Sequence, residues 1–312
     1  MNFLRKKREP AQKKTAKTAK TTRTLQSKMT YFQIKKHIKE ALLPVCGEYA
    51  SYEAEKIVCH IFGLDKRTLT LISHEEAPDK TEETENTVAR RKNGEPLAYI
   101  LGNTDFFSLN FLVSPACLTP RADTEVIVER ALEFLGEKRA NVLDICTGSG
   151  CIALAIAANS HAKVRALDIS EEALDIAKKN AVRLSLSDKV TLEYCDALSE
   201  DFAKECEKYD LIVSNPPYIP TKDIAALSEE VRREPFGALD GGEDGLVFYK
   251  RFIEVLPAKL NTDGIIIFEI GYDQEEAIRA LCENAGLYCE IFRDYGGNVR
   301  GALIKIDQNE YK

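Results

Sequence analysis

From Asn141 onward, seven short runs rich in Val, Ile and Leu recur along the chain, most of them separated by stretches of helical period. No other feature constrains the fold as tightly. The predicted strands are Asn141–Cys146, Lys163–Asp168, Val190–Cys195, Tyr209–Ser214, Gly264–Ile270, Tyr288–Arg293 and Ala302–Ile306. Between the second and third, Ser170–Leu184 reads as a helix, with Ser170 as its cap and Glu171 and Glu172 in its first turn. Continuous apolar strands alternating with helices imply an α/β fold, a mostly parallel sheet covered on both faces. Upstream, the period is helical from Tyr31 to about Gly102. Ile34, Ile38, Ala41 and Leu42 share one face; Ala54, Ile57, Val58, Ile61 and Phe62 share another, with Gly63 as a stop. Asp79 to Asn93 reads as a more exposed helix. Strict alternation at Phe107, Leu109, Phe111 and Val113 then predicts a β-hairpin linking two domains. The expected organisation is a basic tail (1–29), a helical domain (30–104), the hairpin (105–118) and the sheet domain (119–312).

Charge separates the tail from the rest. Residues 1–29 hold ten Lys/Arg and one Glu, a net of +9, so the total of −7 leaves −16 on residues 30–312. An acidic body argues against phosphate-backbone binding as the main activity. The tail, poor in apolar residues, is expected to be disordered. It is read as dispensable in preference to a nucleic-acid or ribosome tether or an organelle presequence. Nine cysteines lie scattered without a C-x-x-C pair, and the four histidines are far apart. Without a secretory signal pattern, these read as reduced thiols of a cytoplasmic protein, with no metal site. No apolar run approaches the ~20 residues needed to span a bilayer.

Two stretches carry chemistry. In Asn215-Pro216-Pro217-Tyr218, at the end of the fourth predicted strand, successive prolines stop the ladder and leave Asn215 at the sheet's C-terminal edge, where ligands bind. The Asn215 side-chain oxygen and the Pro216 carbonyl can accept the hydrogens of a planar –NH2 group while Tyr218 stacks on it. The second is Val142 to Ala153, a strand running through Cys146-Thr147-Gly148-Ser149-Gly150 into a helix, with Asp168 about 20 residues beyond to hold a ribose. These features alone also fit a dinucleotide. Asp144, suited to a cationic amino acid moiety, and Asp196 with Ala197, placed to reach an adenine amino group, favour S-adenosyl-L-methionine. Cys146 and Cys151 read as packing residues.

Together these residues resemble the release factor glutamine methyltransferases, the PrmC/HemK family, over nearly everything from Tyr31 onward. The likeness includes Glu95-Pro96-Leu97-Ala98-Tyr99-Ile100-Leu101-Gly102, Phe106-Phe107 and Pro120-Arg121-Ala122-Asp123-Thr124-Glu125. It continues through Glu234-Pro235, Ala238-Leu239-Asp240-Gly241-Gly242, Glu269-Ile270-Gly271 and Gly297-Asn298 with Arg300. The resemblance implies a small helical domain, a β-hairpin linker and a Rossmann-like, seven-stranded class I methyltransferase domain. It implies S-adenosyl-L-methionine as cofactor, class I peptide chain release factors as partners, and methylation of the Gly-Gly-Gln glutamine nitrogen. Donor binding is expected of Asp144, Cys146, Thr147, Gly148, Ser149, Gly150, Asp168, Asp196, Ala197 and Asn215. Catalysis is expected of Asn215, Pro216, Pro217 and Tyr218, which with Phe107 would also hold the substrate.

One departure is visible: the family usually has Gly where Cys146 stands, a change that keeps a backbone amide contact if the local φ is negative. Phe106 and Phe107 fit either the site or the hairpin core. Arg121 and Glu125, one helical turn apart, read as a pair; Glu234 and Glu269 stand as family markers without a derived role. The rival readings are an adenine amino-group methyltransferase of DNA or RNA, which shares N-P-P-Y but needs a basic surface for an extruded base, and a cofactor-binding interaction protein without catalysis.

Overall fold

Five helices precede the first strand in a computed structural model that describes residues 28–306. They are α1 (Tyr31–Cys46), α2 (Ala50–Phe62), α3 (Lys66–Leu71), α4 (Thr81–Lys92) and α5 (Leu97–Leu101). A capping box starts α1: Thr30 Oγ1 accepts from the Gln33 amide at 3.3 Å and Gln33 Oε1 accepts from the Thr30 amide at 2.9 Å. Gly63, at φ +65°, ends α2 as expected. Ile38, Leu42, Ala54, Ile57 and Val58 form the dry centre of this module, each burial contributing roughly 1–3 kcal/mol. The expectations for residues 1–27, and for 307–312 at the other end, lie outside the described residues.

The hairpin is β1 (Asn103–Phe106) and β2 (Leu109–Leu112), paired antiparallel with Phe106 opposite Leu109. It begins two residues before the expected boundary. Phe107 and Ser108 form its two-residue turn, both at positive φ (+48° and +61°), as hairpin turns compatible with strand twist require. Phe107 is therefore not on the alternating face read from the sequence. Buried Phe106 and Phe111 pack edge-on there instead, 6.0 Å apart. β2 is tied to the glycine loop through Asn180 of helix α8 (Glu171–Arg183). This fully buried amide accepts from the Leu112 amide at 2.7 Å and donates to the carbonyls of Leu112 (3.0 Å) and Ser149 (2.9 Å).

The remaining helices are α6 (Glu125–Leu135), α7 (Cys151–Asn159), α9 (Glu200–Lys204), α10 (Val247–Val255) and α11 (Glu275–Asn284). The strands are β3 (Asn141–Ile145), β4 (Lys163–Asp168), β5 (Val190–Tyr194), β6 (Tyr209–Ser214), β7 (Leu260–Glu269), β8 (Leu287–Arg293) and β9 (Val299–Ile306). All seven sequence-read strands are present, β7 starting earlier than expected. They form one sheet in the order β5-β4-β3-β6-β7-β9-β8, parallel except for β9, which runs antiparallel to both neighbours. Val142, Leu211 and Ile265 face α6 and α7; Leu143, Ile212 and Phe268 face α10 and α11. The chain goes outward from β3 to β5 and returns through β6, so the topological switch lies between β3 and β6, where such sheets open a crevice. Among the described residues, no helix is long and apolar enough to cross a membrane and no cluster of three or more His, Cys, Asp or Glu is arranged to hold a metal.

Candidate active site

The loop after β3 is shaped by three positive φ angles: Cys146 at +61°, Gly148 at +57° and Gly150 at +80°. Gly148 has open space where a Cβ would sit. At Gly150 a Cβ would come within 3.1 Å of Leu154 and 3.2 Å of Ala177, so a glycine there lets α7 and α8 approach. At +61° the φ of Cys146 is positive, so the condition of a negative one is not met. The backbone keeps the course that the family's glycine allows, and the cysteine holds a left-handed conformation that costs about 1–2 kcal/mol. Burial pushes its thiol well above the usual range.

Over this loop lies a cavity of about 350 Å³, within the size range of small-ligand sites. Of the residues expected to bind the donor, Cys146, Thr147, Gly148, Ser149, Asp168, Asp196, Ala197 and Asn215 line it. Asp168 Oδ2 accepts from the Gly148 amide at 2.7 Å and its Oδ1 from the Ser170 amide at 2.9 Å. Burial raises its pKa against the pull of those amides. Asp196 is held by the Leu198 amide at 2.9 Å. Ser149 Oγ is buried without a hydrogen-bond partner, leaving a polar atom for a ligand to satisfy.

Asp144 is not among the residues that line the cavity, and its Oδ1 is buried without a hydrogen-bond partner. It alternates along β3 with Leu143 and Ile145 and is fully buried under the start of α7, accepting from Thr147 Oγ1 at 2.6 Å. Burial pushes its pKa up to about 7, against the opposing pull of Thr147 and the Ala153 amide. Its contribution is to fix Thr147. Gly150 stands behind the loop and likewise does not reach the cavity. Sequence reasoning missed the opposite wall, formed by Leu118, Thr119, Thr124, Ile169, Phe248, Pro235, Gly237 and Ala238. The motifs Pro120–Glu125, Glu234-Pro235 and Ala238–Gly242 carried its signal in the sequence, through Thr124, Pro235 and Ala238.

At the end of β6, Ser214 Oγ donates to the Ile145 carbonyl at 2.6 Å, locking the two central strand ends together. Asn215 and Pro217 then line the cavity; Pro216 and Tyr218 do not. Tyr218 is turned toward β7, where its hydroxyl donates to Glu269 Oε1 at 3.3 Å, while its carbonyl accepts from Gln274 Nε2 at 3.1 Å. Gly241 lies under it: a Cβ there would come within 2.8 Å of the Tyr218 Cα and carbonyl carbon. Glu269, 2% exposed, also accepts from Thr124 Oγ1 at 2.6 Å, and burial raises it to about 7 against the pull of Thr124 and Arg300.

Arg121 and Glu125 are not paired with each other. Arg121 donates to buried Glu234 at 2.5 Å, and Glu125 accepts from the Phe107 amide at 2.8 Å. Phe107 thus sits at the hairpin turn, packed beside the core on the α6 side and outside the cavity wall.

Residues 34–102 match a family model described as the PrmC N-terminal domain, and residues 137–311 match a methyltransferase domain. A release factor glutamine methyltransferase of Geobacter sulfurreducens is 42% identical over 248 residues, spanning 78% of this chain and 85% of its own. One of Bacillus subtilis is 36% identical over 267 residues, spanning 82% and 92%. Among solved structures, the hMettl16 catalytic domain in complex with the MAT2A 3′UTR hairpin 6 aligns with a TM-score of 0.52 at 18% identity, over 71% of this chain and 79% of that one, a likeness of fold alone. With both family models in the expected order and relatives matched along most of their length, the chain belongs to the release factor glutamine methyltransferase family.

Proposed function

We propose that this protein transfers the methyl group of S-adenosyl-L-methionine to the side-chain amide nitrogen of the glutamine in the Gly-Gly-Gln motif of class I peptide chain release factors. The observation that carries the reading is the adjacency of two strand ends. Asn215 comes directly after Ser214, which is paired with Ile145, the residue before the glycine loop. Family membership and the identity of the relatives support the same substrate. A cytoplasmic setting accords with that substrate.

The residues fit the donor. Open space over Gly148, the unpaired Ser149 hydroxyl, the anchored carboxylates of Asp168 and Asp196 and the largely apolar remaining wall suit an adenosine with a polar tail. When bound, the donor supplies an electrophilic methyl group. An amide nitrogen is a poor nucleophile because its lone pair is shared with the carbonyl. Asn215 Oδ1 and the Pro216 carbonyl accept its two N–H hydrogens, favour a pyramidal nitrogen and stabilise the positive charge that grows on it. Fixed placement at the strand edge provides most of the remaining rate enhancement. A bound donor would give up its methyl group to that nitrogen and leave as the neutral thioether, and the nitrogen held by Asn215 and Pro216 would then release a proton to water. No general base is needed before attack.

Transfer of labelled methyl groups to purified release factor, set beside DNA and RNA substrates, tests the assignment. Asn215→Ala is expected to lower kcat at least about 100-fold, as loss of a transition-state acceptor does, with a far smaller change in donor affinity. Labelling of nucleic acid in preference to the release factor would shift the assignment to an adenine methyltransferase.

A further inference from the structure

Residues 220–239 leave the Asn215–Tyr218 strip and return to it. The Ile219 amide donates to the Leu239 carbonyl at 3.0 Å, the Gly241 amide to the Ile219 carbonyl at 2.9 Å, and Thr221 Oγ1 to Asp240 Oδ1 at 2.6 Å. These bonds close the excursion at its base, as in a compact surface loop. Its far end rests on the helical module. Arg91 of α4, with a side chain 6% exposed, grips Glu53 of α2 through two hydrogen bonds of 2.7 and 2.9 Å. The same guanidinium reaches Glu230 in the loop at 3.0 Å. Beside it, Arg233 donates to the Asn93 carbonyl. Gly94 lies so close to Glu229 that a Cβ would come within 2.7 Å of its Cδ.

Four residues after Glu230, Glu234 faces the other way. It holds Arg121 at 2.5 Å and accepts from the Thr119 amide at 3.3 Å. Pro235, Gly237 and Ala238 come next and form one wall of the donor cavity. A single short stretch therefore carries contacts from the helical module at one end and to the cavity at the other. A buried ion pair is weak evidence of stabilisation, since apolar replacements often do as well, but its directional bonds fix geometry. Arg91, forked between α2 and the loop, fixes how the two modules sit against each other.

We propose that this loop is a strap through which the helical module sets how tightly the cavity holds its methyl donor, with Arg91 and Glu230 as positioning residues. Releasing the far end frees the Pro235–Ala238 wall, and the donor and its demethylated product weaken together because both lie against that wall.

The test uses the full chain carrying Glu230→Ala, Arg233→Met, or both; these side chains are partly exposed, so α2 and α4 keep their Arg91–Glu53 pair. Dissociation constants for S-adenosyl-L-methionine and S-adenosyl-L-homocysteine are measured by calorimetry, and amide exchange is followed by mass spectrometry. Each single change is expected to raise both constants about 5-fold, the lower range of coupling between sites. The double variant should fall short of the product of the two, as expected of residues acting through one element. Exchange should quicken over residues 236–240 while β3 and β6 stay protected. Unchanged constants, or weakening accompanied by faster exchange throughout β3 and β6, would overturn the strap. Because the readout is binding and not methyl transfer, the result is independent of which substrate accepts the methyl group.

Discussion

The Tyr218 hydroxyl and the Thr124 hydroxyl share one acceptor, Glu269, at 3.3 and 2.6 Å on its two oxygens. Tyr218 closes the Asn215–Tyr218 strip, proposed to hold the substrate amide, and Thr124 lines the cavity proposed for the donor. A single buried carboxyl on β7 thus spans both halves of the site. Glu269→Gln keeps the shape but replaces one acceptor oxygen with a donor, so one hydroxyl loses its partner. Above about pH 7, where Glu269 is ionised, turnover is expected to fall about 10-fold, the scale of a hydrogen bond to a charged group, with a smaller loss below it. Steady-state kinetics beside donor titration checks this; an equal loss in donor affinity would place Glu269 in cavity shape instead.

Stability should fall as pH rises toward neutrality. Burial holds both Asp144 and Glu269 at about 7 in the fold, whereas in the unfolded chain they ionise near 4. Below about pH 4 both are neutral in either state and impose no penalty. Between about pH 4.5 and 7 the unfolded chain releases protons that the fold retains, so stability declines, levelling off above about pH 7. Carboxylates lowered by partners, such as Glu55 beside Lys35 and Asp65 under the Thr68 amide, act with the opposite sign and at lower pH. Urea midpoints across this range should show the decline, and Asp144→Asn should flatten part of it.

At Cys146 the backbone, not the thiol, sets tolerance. A β-branched residue at φ +61° is a steric outlier. Cys146→Val is therefore expected to cost about 2 kcal/mol or more. Cys146→Gly relieves the strain while giving up some packing, and should stay within about 1 kcal/mol of the parent. Chemical denaturation of the two variants decides it; equal losses would mean that packing of the sulfur dominates.

Gly241→Ala probes the support beneath Tyr218. With only 2.8 Å to the Tyr218 Cα and carbonyl carbon, a methyl group must push the strip away from its place. Displacement of about 1 Å costs on the order of 100-fold in rate, so kcat should drop by roughly that factor. Donor affinity should fall less than kcat, because Tyr218, the residue displaced directly, lies outside the cavity wall and only Asn215 and Pro217 of the strip line it. Calorimetry on the variant separates the two.

The legible parts of this chain were those with local signals. Ser170 caps α8 through the Ala173 amide as its position before two glutamates suggested, and Asp168 ends β4 beside Gly148 as the spacing from the glycines implied. The face of β3 that the Asp144 carboxyl takes was not legible, because a strand apolar on both faces gives no phase: nothing in Val142-Leu143-Asp144-Ile145 says which side it lies on. Phe107 was misplaced for the opposite reason. Its alternation with Leu109 and Phe111 was regular, but a two-residue turn without Asn-Gly or Asp-Gly took it out of the strand. The contacts Tyr218–Glu269, Arg121–Glu234 and Arg91–Glu230 join residues 51, 113 and 139 positions apart, which no local pattern encodes.

The pairing of Ile145 with Ser214 works as a fixed gauge. Neighbouring strands lie about 4.8 Å apart whatever their side chains, so the ledge proposed to hold the methyl source and the ledge proposed to present its recipient are spaced by backbone geometry alone. A lineage could exchange the recipient by rewriting only the residues after Ser214, and never need to recalibrate the distance across which the group is handed.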